Sequence, residues 1–224
     1  MSLSIRRRSR LSAISGPGEG ARGNREVPPA GAITLLEDWL KALVATPGLT
    51  GISDLAEARR MLLEDSLRGV GVVSEYEGPI VDVGSGGGAP GIPLAFSLPD
   101  REVTLLEAIG RKCDFLREWA QPNVRVVQGR AEEQETDVYG VAVAKALAKP
   151  PTAAEWCLPL VREGGAVVLW VGQSVDTERV ARVAEQVGGE LAESRGGLLV
   201  LRKVRATPEG FPRRTGVASK RPLD

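Results

Sequence analysis

The chain has 224 residues, 42% hydrophobic and 26% charged, a size and composition that suit one α/β domain with a modest extension. It has no histidine, which excludes Ser-His-Asp and Cys-His catalysis and the common histidine-based metal sites. Net charge is zero, yet residues 1–25 and residues 202–224 each carry +5, so the body between them is acidic and the basic ends point to a polyanionic partner.

Cys113 and Cys157 stand far apart and outside any Cys-x-x-Cys spacing. No zinc site or other metal is expected, and a reducing, cytoplasmic location is. No apolar run approaches the roughly 18 residues of a membrane span, so no membrane partner is expected.

Residues 1–31 are rich in Arg, Ser, Gly and Pro without apolar periodicity and read as a disordered basic arm. Residues 1–18 also lack acids, a feature shared with transit peptides, basic arms and misassigned start codons. Residues 32–78 read as a helical cap. Leu35, Leu36, Trp39, Leu40 and Leu43 keep helical spacing up to Pro47-Gly48, and a second helix starts at Ser53 or Asp54 and runs to about Leu67.

Residues 79–204 alternate between strand and helix. Strands are predicted at 80–83, 102–107, 124–128, 138–144, 165–171, 190–194 and 198–204, with helices near 91–98, 110–120, 152–160 and 175–187. This βαβα order implies an α/β fold with a mostly parallel sheet covered on both faces. Only Arg195, Gly196 and Gly197 separate the last two strands, so these form an antiparallel hairpin. Residues 205–224 read as a basic tail.

Ile80-Val81-Asp82-Val83 runs into Gly84-Ser85-Gly86-Gly87-Gly88, a strand entering a turn whose backbone can lie against a ligand. Such a turn fits several adenosine cofactors and separates a dinucleotide from S-adenosylmethionine poorly. Asp82, inside the strand, is placed to meet a ligand amine directly or through water. Glu107, at the end of the next strand, can accept both ribose hydroxyl hydrogens. The terminal hairpin resembles the seven-stranded, Rossmann-like fold of class I S-adenosylmethionine-dependent methyltransferases. In that fold the loop Gln128-Gly129-Arg130-Ala131-Glu132-Glu133 borders the adenine. A dinucleotide-dependent oxidoreductase is the competing reading.

The run from Asp82 through Gly84, Gly86 and Gly88 to Pro90-Gly91-Ile92-Pro93-Leu94 resembles the RsmG (GidB) family of 16S rRNA methyltransferases. Further resemblances follow in order. These are Leu49-Thr50, Asp65-Ser66-Leu67, Arg111-Lys112 with Phe115-Leu116, Gly129-Arg130-Ala131-Glu132, Phe211-Pro212-Arg213-Arg214-Thr215-Gly216, and Lys220-Arg221-Pro222-Leu223. Together they span about residues 32–224.

The resemblance implies methyl transfer from S-adenosylmethionine to N7 of a guanosine in 16S rRNA. Asp82, Gly84, Gly86, Gly88, Glu107, Arg130, Ala131 and Glu132 would serve the cofactor. Lys145 would stand nearest the methyl, and Lys145, Arg213, Arg214 and Lys220 would contact RNA. The partner implied is 16S rRNA or a small-subunit precursor, met by a monomer. Four positions depart from the family's usual residues. Leu62 stands for histidine, Lys145 for arginine, Val171 for lysine and Gly48 for asparagine. They fall around the expected substrate face, which leaves a divergent member with an altered target, or with none, as an alternative.

Overall fold

The computed structural model describes residues 30–223, so nearly all of the expected disordered arm lies outside the described residues. Helix α1 (Ala30–Ala45) is followed by α2 (Leu55–Ala58), a π-helical turn (Arg59–Glu64), α3 (Asp65–Leu67) and α4 (Val70–Ser74). Asp54 caps α2 by accepting a 2.7 Å hydrogen bond from the Glu57 amide. Of the periodic apolar residues in α1, Leu36, Trp39, Leu40 and Leu43 are buried, while Leu35 faces solvent.

Seven strands follow: β1 (Ile80–Val83), β2 (Val103–Glu107), β3 (Val124–Gln128), β4 (Tyr139–Lys145), β5 (Val161–Trp170), β6 (Gly189–Arg195) and β7 (Leu198–Lys203). Between and after them lie α5 (Gly91–Ser97), α6 (Gly110–Trp119), α7 (Pro150–Cys157), α8 (Thr177–Gln186) and α9 (Val217–Lys220). They form one sheet in the order β3-β2-β1-β4-β5-β7-β6. All neighbours are parallel except β7, which runs antiparallel to both β5 and β6. Gly196 and Gly197, at φ +56° and +80°, make the two-residue turn between β6 and β7, with positive φ at both positions as a type I′ hairpin requires.

The central strands are buried along nearly their whole length and mostly apolar, Asp82 in β1 and Lys145 at the end of β4 aside, because helices cover both faces. Ile80 packs with α1 and α4 on one face, whereas Val81 and Val83 pack with α7 and α8 on the other. Strand order reverses between β1 and β4. The carboxyl ends of these two strands therefore open a crevice, the usual ligand position in an open α/β sheet.

A polar cluster fixes the exit from β7. The Lys203 side chain is fully buried, and its Nζ donates to Asp137 Oδ1 at 2.8 Å, Leu158 O at 2.8 Å and Thr207 Oγ1 at 2.7 Å. Burial lowers the pKa of Lys203, opposed by its hydrogen bond and ion pair with Asp137. Burial alone would raise the pKa of Asp137, but hydrogen bonds from Lys203 and Thr207 and the lysine charge hold it below the usual value. A buried cation supplied with three acceptors is satisfied where an unpaired one would be strongly destabilising.

Candidate active site

The glycine turn is built from both sides. Leu106 O of β2 accepts from the amides of Gly84 (2.8 Å) and Ser85 (3.1 Å). From behind, Trp39 Nε1 of α1 donates to Gly87 O at 2.9 Å. Gly84 has φ +70°, which favours glycine, and a Cβ there would also press on Leu147 Cδ1 at 2.4 Å.

The Asp82 carboxylate is 1% exposed and lies beneath the turn. Its Oδ2 accepts from the Gly91 amide at 3.0 Å, and its Oδ1 has no partner. Burial pushes this carboxyl up to about 7, opposed by the Gly91 hydrogen bond, raised further by the charge of Glu107 and lowered by that of Lys145.

Glu107 is nearly buried. Its Oε2 accepts from the Gly86 amide and its Oε1 from the Ile109 amide, each at 2.9 Å. The carboxylate thus braces the turn while keeping further acceptor capacity. A cavity of about 300 Å³ opens beside it. Its lining includes Gly84, Glu107, Arg130, Ala131 and Glu132 from the sequence-based set, together with Lys112, Ala146, Leu147 and Trp156. Gly86, Gly88 and Asp82 shape the turn without lining this cavity.

Trp156 of α7 lines the cavity, and its Nε1 is buried without a hydrogen-bond partner. The residues suit an adenosine-bearing cofactor. An acceptor-only carboxylate faces the space, the volume lies within the ordinary range for ligand sites, and one lining residue, Trp156, has a buried Nε1 without a partner.

A second cavity of about 500 Å³ lies on the far side of Ala146, lined by Arg60, Met61, Asp65, Arg68, Lys145, Trp170, Val171 and Gly172. Ala146 borders both cavities and has φ +53°, a left-handed conformation uncommon outside glycine and often found at functional sites. Lys145 Nζ lies 2.5 Å from Asp65 Oδ2 and also donates to Met61 O of the π-helical turn. Trp170 Nε1 donates to Asp65 O at 2.8 Å. Gly69 admits the Trp170 ring, since a Cβ there would meet it at 2.3 Å.

The four cations proposed for RNA are differently engaged. Lys145 is tied to Asp65, whereas Arg214 and Lys220 are exposed. Arg213 is paired within the fold. Its guanidinium forms a fork with Glu155, Nε to Oε1 at 2.5 Å and Nη2 to Oε2 at 2.6 Å, and Glu155 is 3% exposed. The planar fork ties the guanidinium to α7 through two of its five N–H donors. Glu132 also uses its side chain outside the cavity, where Oε1 accepts from the Gly216 amide at 3.1 Å. Among the described residues, no group of three or more His, Cys, Asp or Glu is placed to hold a metal ion, and no helix is long and apolar enough to cross a membrane.

A parallel sheet with an antiparallel strand inserted near one edge, and a glycine turn at its switch point braced by a carboxylate from the neighbouring strand, is the class I S-adenosylmethionine-dependent methyltransferase fold. Residues 32–191 match the family model GidB, rRNA small subunit methyltransferase G, and the chain belongs to that family. It is 36% identical to the ribosomal RNA small subunit methyltransferase G of Synechococcus elongatus over 78% of this chain and 82% of that protein. Against the proteins of the same name from Symbiobacterium thermophilum and Rubrobacter xylanophilus the identities are 35% (88% of this chain, 92% of that protein) and 34% (91% and 87%). Among solved structures, the T. thermophilus 16S rRNA N2 G1207 methyltransferase in complex with AdoMet and guanosine aligns with a TM-score of 0.47 at 18% identity. That alignment covers 59% of this chain and 37% of that one.

Proposed function

We propose that this protein transfers the methyl group of S-adenosylmethionine to N7 of a guanosine in 16S rRNA, acting as a cytoplasmic monomer on the RNA or a small-subunit precursor. The observation that carries this reading is the meeting of two cavities at Ala146, one faced by Glu107 and the other walled by Lys145. When bound, the cofactor supplies an electrophilic methyl group on a positively charged sulfur.

Guanine N7 is an unprotonated acceptor on the base edge. No proton has to leave before it attacks, so the reaction needs no general base, and a chain without histidine suits it. The residues' contribution is placement and charge. Glu107 has acceptor capacity left for ribose hydroxyls. The glycine turn holds its shape through Leu106 O, Trp39 and Glu107. Lys145, steadied by Asp65, presents a fixed hydrogen-bond donor at the acceptor side that can orient the base.

Lys145 and Val171, two of the departures from the family's usual residues, line the second cavity. That observation keeps an altered RNA target as the second reading. Mapping N7-methylguanosine in 16S rRNA from a strain lacking the gene, with and without complementation, tests both. The first reading expects one modification lost and then restored. A modification pattern independent of the gene overturns it.

A further inference from the structure

The tail beyond β7 grips both walls of the first cavity from outside. One wall is α7, which carries Trp156 on its cavity side and Glu155 against the tail, where Arg213 holds the carboxylate with two charge-assisted hydrogen bonds. The other wall is the 3₁₀ turn Ala131–Glu133. There the Gly216 amide donates to Glu132 Oε1 and the Thr215 hydroxyl to Glu133 Oε1, both at 3.1 Å. Gly216 holds φ +80°, which turns its amide toward Glu132 at a position that favours glycine. Phe211 and Leu223, on either side of these contacts, pack against the core cluster to which α7 contributes, and α9 packs on α7. The segment from Phe211 to Leu223 is therefore a strap anchored at both ends. Between its anchors it makes three polar attachments, one to the helical wall and two to the turn.

We infer that this strap sets the separation of the two cavity walls, and that Arg213 is a positioning residue for the cofactor rather than a contact to RNA. The inference rests on the reading of the first cavity as the S-adenosylmethionine site. Arg213 touches nothing in the cavity and acts through Glu155 and the helix that carries Trp156. Thr215 and Gly216 act through the turn that presents Arg130, Ala131 and Glu132 to the same space. Freed from the strap, the walls sample wider separations, and the cofactor must then narrow them as it binds.

The test is calorimetric titration of the full chain with S-adenosylmethionine in the absence of RNA, combined with initial rates at varied cofactor. Arg213→Gln is expected to raise the dissociation constant about tenfold, the size of one lost charge-assisted contact. KM for the cofactor is expected to rise with it, while kcat at saturating cofactor stays within about twofold. Arg213→Lys, which keeps the charge but not the fork, is expected to fall between.

Arg213→Gln leaves the Glu155 carboxylate buried and unpaired, so it also lowers stability. The double variant Glu155→Gln, Arg213→Leu removes that charge. It is expected to melt near the wild type yet still bind the cofactor weakly, a combination that loss of stability alone does not produce. Thr215→Val combined with Gly216→Ala loosens the turn while leaving the Arg213 fork in place, and is expected to give an intermediate loss. Wild-type affinity in the double variant and in the turn variant overturns the strap while leaving the cofactor reading intact. A wild-type chain that does not bind S-adenosylmethionine overturns the cofactor reading and the strap with it.

Discussion

Asp65 and Lys145 form an ion pair at the wall of the second cavity, Oδ2 to Nζ at 2.5 Å, with side chains only 23% and 13% exposed. The pair joins the short α3 helix to the carboxyl end of β4, and Trp170 closes the arrangement by donating to Asp65 O. Lys145 thus has one position rather than the many open to a surface lysine. Lys145→Ala is expected to lower methyl transfer about 100-fold, as when a group that positions the acceptor is lost from an active site. S-adenosylmethionine affinity is expected to stay within about twofold. Radiolabelled methyl incorporation into small-subunit RNA and a parallel binding titration read the two effects. A proportional loss of cofactor affinity would move Lys145 from the acceptor side to the cofactor side.

Glu107 has a double role, bracing the turn through Gly86 and facing the first cavity. Glu107→Ala removes both, and cofactor affinity is expected to fall roughly 30-fold, within the range for hydrogen bonds to a charged acceptor. Glu107→Gln retains one acceptor oxygen and is expected to lose less. Calorimetry giving equal affinity for wild type and Glu107→Ala would end the ribose assignment.

The strand ends were legible because apolar runs and turn residues mark them, and the carboxyl ends of β1 and β2 are where Gly84 and Glu107 stand. The Gly196-Gly197 link likewise announced the antiparallel hairpin, since two or three residues cannot make a parallel crossover. The cavity linings were not legible in the same way. Trp156 and Trp170 sit at positions that read as core, and a residue lining a cavity has the same periodicity as one packed in the interior. Arg213 looked like its neighbours in a basic tail because its partner, Glu155, lies 58 residues away in sequence. The π-helical turn at Arg59–Glu64, which delivers Met61 O to Lys145, shows no periodicity distinct from the α-helix around it.

Asp82 gives the fold a pH signature. Burial raises its pKa from the unfolded value near 3.8 to about 7, so the folded chain binds a proton that the unfolded chain releases. The stability this provides is fully present below about pH 4 and is lost as pH rises through about 7. Asp82→Asn keeps an acceptor for the Gly91 amide and removes the titration. At pH 8 the variant is expected to melt at least about 3 °C above the wild type, the shift that roughly 1 kcal/mol produces in a chain of this size. The gap is expected to narrow toward pH 5. Melting curves recorded from pH 5 to 9 decide the matter, and a gap that does not change with pH refutes the buried-proton account.

Arg214, Lys220 and Arg221 are exposed on a tail whose neighbour Arg213 is held by Glu155. Each exposed cation that neutralises a phosphate releases condensed counterions, whereas a guanidinium already paired with a carboxylate releases none. Replacing the three with glutamine is expected to weaken binding to a 16S rRNA fragment and to reduce the slope of log affinity against log salt by roughly 2. Arg213→Gln is expected to leave that slope unchanged. Fluorescence anisotropy across a salt series measures both variants on one labelled fragment. A slope that falls by about 1 in Arg213→Gln would return that residue to the RNA face, because counterion release depends on phosphates contacted and not on the shape of the cofactor cavity.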